Sequence, residues 1–199
     1  MSSAEGDAAE ALAAIERWGL ILLQDPRLPS LAALIAGEPI RGSWWGHAEG
    51  KRIFEAAGIL DDHADVATFK LVNKKVCFVH RRLWPALAAL GGAKASWQMD
   101  GLDEEARALL ERVDEEGRVR ASGKAAKALE ERLLVAGEQV HTESGAHASE
   151  LSSFARFAID RGLGALPSLE AARAELEAAV QAMPGGASAR LPWNLKRRA

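Results

Sequence analysis

The sequence lacks the features that would place it in several protein classes. Its 199 residues include a single cysteine, Cys77, so no intramolecular disulfide can form. No apolar run reaches the roughly 18 residues that a bilayer-spanning helix needs, and the acidic start lacks the basic and apolar blocks of a signal peptide. These absences predict a cytoplasmic protein with no membrane association. Val76 and Phe78 beside Cys77 predict a buried thiol within a strand.

Motifs for common chemistries are missing as well. The chain has no phosphate-binding loop, no dinucleotide fingerprint, no Gly-x-Ser-x-Gly elbow, and no His-x-x-x-His pair or Cys/His cluster for a metal. The sequence therefore predicts no cofactor and no metal site. Enzymatic activity stays open, with the absence of motifs favouring a non-enzyme.

A strong positive charge is also absent, because the formal net charge is -3. This excludes a histone-like binder but leaves room for local basic patches. The charge is uneven along the chain: residues 1–40 carry a net -4, residues 41–94 a net +4, and residues 95–199 a net -3. The middle block is therefore the cationic part of the sequence.

Helical spacing of apolar residues, with capping residues at the ends, predicts most of the secondary structure. Ser30 and Asp103 are expected N-caps, and Gly37 and Gly117 are expected to end the helices that follow them. The predicted helices cover residues 8–23, 31–36, 48–60, 81–90, 104–116, 122–134 and 168–182. The tail after residue 190 has no periodicity and is expected to be loose.

A first β-hairpin is expected about the dipeptide Asn73-Lys74. A two-residue turn there places Phe69 opposite Phe78, an aromatic pair that would fix the register. The predicted strands are residues 65–72 and 75–80.

A second β-hairpin is expected about Ser144-Gly145. That turn pairs His141 with Ala148 and Thr142 with His147, which places the two histidines on opposite faces and argues against a shared metal site. The predicted strands are residues 138–143 and 146–151.

Helices followed by a hairpin, twice, predict an α+β, helix-dominated fold with two winged-helix-like units, each ending in a β-hairpin, plus a C-terminal helix. The predicted boundaries are 1–95, 96–160 and 161–199. The second unit is abbreviated, because almost no residues are available for a middle helix between Val119 and Ser122.

Three segments resemble a bacterial AlkZ-related winged-helix family: residues 42–47 (Gly-Ser-Trp-Trp-Gly-His), residues 78–87 and residues 140–147. The resemblance covers roughly residues 25–160 and implies kinship with DNA glycosylases that excise alkylated or crosslinked bases. Those enzymes are associated with a Gln-x-Gln or Gln-x-Asp catalytic motif. Here residues 98–100 (Gln-Met-Asp) have matching letters but lie in a linker, and the shorter chain implies that part of the base pocket is missing.

The candidate nucleic-acid site combines tryptophans, which stack on bases, with cations that contact phosphate. At least one of the two adjacent tryptophans is expected in the core, since neighbouring residues leave a helix start in different directions. A solvated basic hairpin with no ligand is an equal alternative for the hairpin cations. The candidate residues are Arg41, Trp44, Trp45, His47, Lys51, Arg52, Lys74, Lys75, His80, Arg81 and Arg82.

These patterns predict first a nucleic-acid-associated winged-helix protein that binds DNA through a basic third helix and the first hairpin. The second hypothesis is a minimal base-excision glycosylase. The third is a protein-interaction module, whose more acidic second hairpin unit contacts a protein partner or forms a homodimer. Winged helices serve all three roles, so the fold alone does not choose among them.

Overall fold

A computed structural model describes residues 3–141 and 147–195, with side chains described outside 139–148. Helices alternate with short antiparallel strands, which confirms the predicted helix-dominated α+β class. The chain divides into two compact units, Met1–Leu83 with Glu177–Leu191 and Trp84–Leu176 with Pro192–Ala199. No helix within the described ranges is long and apolar enough to cross a membrane.

The first unit packs three helices against a small sheet. Its strands are antiparallel and ordered β1-β3-β2, and buried side chains from the helices and from β2 and β3 form one core. Short 3-10 turns at Trp44–Gly46 and Val72–Lys74 precede α3 and β3. The elements are α1 (Ser3–Trp18), β1 (Leu20–Leu22), α2 (Leu31–Ala36), α3 (Gly50–Asp61), β2 (Val66–Lys70) and β3 (Val76–His80).

The first helix ends five residues earlier than predicted. Gly19 takes a φ of 91°, which breaks the helix, and Leu20–Leu22 then forms β1 against β3. All three residues of β1 are buried. A fully buried strand does not alternate apolar and polar residues. Its apolar run therefore looked like a continuation of the preceding helix.

The capping predictions are confirmed. The Ser30 Oγ accepts a hydrogen bond from the Ala33 N–H at 3.3 Å, and Gly37 takes a φ of 75° after α2. Such caps satisfy backbone groups that the helix itself leaves without partners. The predicted cap at Asp103 is confirmed in the same way, with the Ala106 N–H donating to its carboxylate at 3.0 Å.

The predicted register of the first hairpin is wrong by one residue. Asn73 and Lys74 do form the turn, both with positive φ, but Phe69 pairs with Cys77 and Thr68 with Phe78. Leu71 lies between β2 and the turn with φ -108° and ψ -72°, the helical conformation of a bulged residue. Because this extra residue lies on the first strand of the hairpin, every pair that β2 makes with β3 is shifted by one residue from the predicted register.

The second unit also contains a three-stranded antiparallel sheet, ordered β4-β6-β5, packed against α6 and α7. The short helices α5 and α8 were not predicted, and the residues after Gly117, for which no strand was predicted, form the paired strand β4. The elements are α4 (Trp84–Gly92), α5 (Ser96–Met99), α6 (Glu104–Glu116), β4 (Arg118–Ala121), α7 (Gly123–Glu131), β5 (Ala136–His141), β6 (His147–Ser152), α8 (Phe154–Asp160) and α9 (Leu169–Ala182), the last divided between the units.

The second hairpin also has a shifted register. His141 pairs with His147 and Val140 with Ala148, so the predicted pairing of His141 with Ala148 is wrong. The predicted pairing placed the two histidines on opposite faces and so argued against a shared metal site. The observed pairing removes that argument. The predicted turn at Ser144-Gly145 lies outside the described residues.

Part of the C-terminal tail is ordered, against the prediction. Leu191 is buried, and Pro192–Asn194 forms a 3-10 turn. The Trp193 ring meets the Trp97 ring edge-on, with centroids 5.7 Å apart, and the Arg173 guanidinium lies 5.5 Å from its centroid. Aromatic and cation contacts that are distant in sequence hold this segment, and no local periodicity signals them.

Candidate nucleic-acid interface

An aromatic turn lies at the start of α3. The Trp44 and Trp45 rings are stacked, with centroids 4.2 Å apart and planes 23° from parallel. Trp44 is buried, whereas Trp45 is 64% exposed. The expectation that these neighbours are buried unequally is confirmed, and a buried indole supports an exposed one.

Phe54, one turn into α3, extends the aromatic surface. Its ring centroid lies 5.5 Å from that of Trp45, and its side chain is 47% exposed. Ile59, further along the same helix, is 38% exposed. Two large apolar side chains of α3 are thus exposed among the charged ones, and we call the pair Trp45 and Phe54 the aromatic face.

Two local features fix the turn against the helix. A Cβ on Gly50 would lie 2.9 Å from the Trp44 carbonyl oxygen, closer than real Cβ atoms come, and 3.1 Å from that of Trp45, which is a tight contact. Glycine at this position therefore permits the approach of the turn. The Gly50 N–H also donates to the His47 carbonyl oxygen at 2.9 Å, which closes the turn onto the first residue of α3.

The cation nearest in sequence before the turn is Arg41, which is exposed and has no side-chain partner among the described residues. The Gln24 amide donates to the Gly42 carbonyl oxygen at 2.6 Å and to that of Ile40 at 3.3 Å. These two bonds hold the backbone on both sides of Arg41. The guanidinium is therefore presented from a fixed backbone.

Lys51 and Arg52 are adjacent on α3 but differ in their surroundings. The Lys51 ammonium is highly exposed and lies 3.6 Å from the Glu55 carboxylate, a surface pair that contributes little. Arg52 instead donates to both oxygens of Asp7, at 2.8 and 3.1 Å, and to Glu49 at 2.8 Å. These hydrogen bonds raise the pKa of Arg52 and tie α3 to α1.

The predicted basic character of the third helix is wrong. Helix α3 carries Lys51 and Arg52 but also Glu55 and Asp61, so its formal charge is zero. The cationic block of the sequence is therefore not a cationic face on this helix.

Lys75 on the hairpin contacts a buried carboxylate. Its ammonium lies 2.7 Å from Asp25, which also accepts from the backbone N–H groups of Arg27 and Leu28. Burial alone would raise the pKa of Asp25, but these hydrogen bonds outweigh it, and the pKa is lowered. Lys75 is thus a structural counter-ion of the β1–α2 connection.

The arginines after β3 also have internal partners. Arg81 pairs with Asp65 at 2.9 Å, and its presence lowers the pKa of that carboxylate. Arg82 donates to the carbonyl oxygens of Glu16 and Arg17 at 2.5 and 3.4 Å. The Arg82 guanidinium therefore caps the last turn of α1, where the helix dipole favours a cation.

The two candidate histidines serve local structure. The Nδ1 of His47 accepts from the Glu49 N–H at 3.2 Å. His80 accepts from the Arg82 N–H at 3.4 Å, and its pKa is lowered by burial and by the nearby Arg82 charge. Both rings thus help to shape the connections next to α3 and β3.

The tip of the first hairpin is bound to the C-terminal segment. The Asn73 N–H donates to the Arg190 carbonyl oxygen at 2.8 Å, and the Arg190 N–H donates to the Asn73 side-chain oxygen at 3.0 Å. Lys74 beside it is exposed. Most of the hairpin cations are thus held by internal partners. Arg41 and Lys51, the cations near the aromatic face in sequence, are exposed.

Gln98, the first residue of the Gln-x-Asp letters, is fully buried. Its amide donates to the carbonyl oxygens of Arg132 and Leu133 at 3.2 and 2.7 Å, and its oxygen accepts from the Ala95 N–H at 2.9 Å. Every polar atom of the side chain is used inside the second unit. The interpretation of Gln98 as a catalytic element has no geometric support.

Cys77 is buried within β3, as predicted, and burial raises its pKa to about 11, so the thiol is inert at neutral pH. No group of three or more His, Cys, Asp or Glu side chains in the described ranges is placed to hold a metal ion.

Sequence reasoning missed Phe54, Gln24 and Gly50. Phe54 carried a detectable signal, because it lies off the buried stripe formed by Ile53, Ala56 and Leu60. The parts played by Gln24 and Gly50 depend on backbone atoms that only the folded chain brings near them.

Comparisons with known proteins add no relative: no family model, no curated protein and no solved structure matches this chain.

Proposed function

We propose that the first unit is a winged-helix module that binds nucleic acid through the aromatic face and the cations Arg41 and Lys51. The element order α1-β1-α2-α3-β2-β3 and the strand order β1-β3-β2 support this proposal, since a winged helix also combines three helices with a small antiparallel sheet. In such modules, the third helix is the usual contact element. The proposed AlkZ-related kinship agrees with this role.

The observation that carries the proposal is the exposed, supported indole of Trp45. Large aromatic side chains are costly to leave in water, and here the stack on Trp44 holds the ring at the surface. Nucleic-acid binders use such rings to stack bases and nearby cations to contact phosphate. Arg41 and Lys51 supply two such cations, both exposed.

The proposed site is smaller than the sequence predicted. Lys75, Arg81, Arg82 and Arg52 are occupied by internal partners, and the hairpin tip is bonded to Arg190. An alanine substitution of all the hairpin cations would thus destabilise the fold as well as remove charge. Arg41 and Lys51 offer a cleaner test.

The test measures binding of labelled oligodeoxynucleotides, both single-stranded and duplex, by fluorescence anisotropy at several salt concentrations. Arg41→Ala with Lys51→Ala should weaken binding and flatten the salt slope by about 0.7 per lost contact on single strands, or about 0.9 on duplex. Arg27→Ala, an exposed arginine of the same unit without a side-chain partner among the described residues, is the matched control. No binding to either form, or an unchanged slope in the double variant, would contradict the proposal.

A second candidate function, protein interaction through the second unit, has a specific observation in its favour. Ile159 on α8 is 72% exposed, and Leu166 and Leu169 after it are also exposed. Exposed apolar side chains of this size favour a protein partner, which includes a second copy of the chain. Sedimentation at two concentrations, with Ile159→Glu as the variant, tests this. A concentration-independent monomer would rule out the homodimer.

A further inference from the structure

The residues that α3 presents are poorly suited to reading paired bases. Base edges in the major groove are recognised mainly by Arg, Lys, Asn and Gln side chains. Helix α3 contains no Asn or Gln, and Arg52 is bound to Asp7 and Glu49. Lys51 is the remaining candidate, and one lysine does not read a sequence.

The same helix is poorly suited to holding a duplex by charge. Its formal charge is zero, and the Glu55 carboxylate lies 3.6 Å from the Lys51 ammonium. Duplex binding depends on several phosphate contacts by cations. The exposed surface of α3 therefore offers the aromatic side chain of Phe54 but no net positive charge.

Aromatic area suits an unpaired base. The Trp45 ring is covered on one face by Trp44 and has the Phe54 ring 5.5 Å away, yet Trp45 is 64% exposed, so open area remains for a further ring. Every base has a flat π-face, and stacking on an aromatic side chain needs neither charge nor a specific hydrogen bond. In a duplex, that face is covered by the neighbouring base pairs.

From this geometry we infer that the site takes unpaired bases: Trp45, with Phe54 beside it, stacks a base of a single strand. Arg41 and Lys51, which are exposed and near Trp45 in sequence, contact the phosphates of that strand. The inference rests on the nucleic-acid function proposed above and specifies its substrate class.

The site is organised before the ligand arrives. Trp44 fixes one face of the Trp45 indole, Gly50 lets the turn lie against α3, and Gln24 holds the backbone around Arg41. Ordering these groups therefore costs little free energy on binding. A pre-formed stacking surface is what a weakly charged site needs to bind a strand.

The experiment compares three labelled ligands with the full chain: oligodeoxythymidylate of about 12 nucleotides, within the usual site size of ~4–16 nucleotides, its duplex with oligodeoxyadenylate, and an abasic strand of equal length. The abasic strand keeps the phosphates and removes the bases. We expect it to bind roughly 5- to 150-fold more weakly than the strand with bases, the range that one stacked base contributes. The duplex should also bind more weakly than the single strand.

Variants assign the difference to the aromatic face. Trp45→Ala should weaken binding of the strand by a similar factor and leave binding of the abasic strand unchanged, while Trp45→Phe should retain most of the affinity. Ile59→Ala, an exposed apolar side chain on α3 outside the aromatic face, is the control and should have no effect. Circular dichroism during heating checks that each variant is folded.

The outcomes separate the two proposals. Equal binding of strand, duplex and abasic strand, with no effect of Trp45→Ala, overturns the unpaired-base inference and leaves nucleic-acid binding standing. No binding to any of the three overturns both. If Trp45→Ala instead abolishes self-association seen in sedimentation, the aromatic face is a protein contact and the inference is wrong.

Discussion

The two units build sheets of the same strand order by different connections. In the first, α2, the aromatic turn and α3 lie between β1 and β2, whereas in the second α7 alone lies between β4 and β5. The candidate site occupies part of the connection that the second unit lacks. A shared sheet can thus be kept while the longer connection carries the function.

The shorter connection is closed by polar side chains. After α7, the chain turns through Leu133 with a φ of 51°, a conformation that branched side chains adopt only at a cost. The Gln98 amide donates to the carbonyl oxygens of Arg132 and Leu133, and the Arg132 guanidinium donates to the carbonyl oxygens of Gln98 and Asp100 at 2.9 and 2.7 Å. These reciprocal bonds hold the strained turn in place of a second helix.

The largest effect is expected where this brace is removed. Gln98→Ala leaves one N–H and two carbonyl oxygens without their buried partner, and each such group costs about 1–3 kcal/mol. We expect a loss of about 3 kcal/mol in the free energy of unfolding, measured by urea denaturation. Gln181→Ala on the exposed side of α9 is the control and should stay within about 0.5 kcal/mol. A stable Gln98→Ala variant would mean that the turn needs no polar brace.

A comparable polar contact in the first unit is the pair of Lys75 and Asp25. Lys75→Met keeps the aliphatic stem but leaves Asp25 without its counter-ion, so we expect a loss of about 2 kcal/mol in the same measurement. Lys51→Met, which removes only a surface pair with Glu55, should change stability by less than about 0.5 kcal/mol. Equal effects of the two substitutions would show that the Lys75 pair is no more than a surface pair.

The same pair makes stability depend on pH. The pKa of Asp25 in the folded chain is below its usual 3.8, so the folded state favours the ionised carboxylate. The stabilisation is therefore present above about pH 4 and is lost as the pH falls through the folded pKa. In Lys75→Met, the loss between pH 5 and pH 3 should be smaller, because the largest interaction that lowers this pKa is gone. Denaturation midpoints across this range test the sign.

Two glycines of α3 give the smallest and most specific prediction. At Gly50 an added Cβ meets backbone oxygen atoms of the aromatic turn, whereas at Gly58 nothing lies within 4 Å. Gly50→Ala should destabilise the folded chain by about 1 kcal/mol, because the turn must move. It should also weaken binding of the single-stranded oligonucleotide. Gly58→Ala should instead stabilise by about 0.5–1 kcal/mol through helix propensity. If both substitutions stabilise, the turn does not need its close approach to α3.

Local features of the fold were predictable from the sequence. Ser30, Gly37, Asp103 and Gly117 act through backbone groups within a few residues, and the helix ends they mark are correct. The turn at Asn73-Lys74 is correct for the same reason. The register was not predictable, because the bulge at Leu71 depends on how both strands pack.

The site was predictable only in part. Trp44 and Trp45 stood out as a pair, and their unequal burial followed from helix geometry. The partner of Lys75 lies 50 residues away in sequence, and that of Arg82 is the end of another helix. Charge in a sequence does not reveal which cations the fold has already neutralised. The sequence therefore predicts more phosphate-binding cations on the hairpin than its geometry supports.

The two hydrogen bonds between Asn73 and Arg190 also have a consequence for synthesis. They join residues 117 apart, so the hairpin of the first unit obtains its last partners only when nearly all of the 199 residues have been made. N-terminal domains usually fold first during translation. Here the first unit is completed by residues 177–191 and the second by residues 192–199, so neither unit has all of its residues until most of the other has been made.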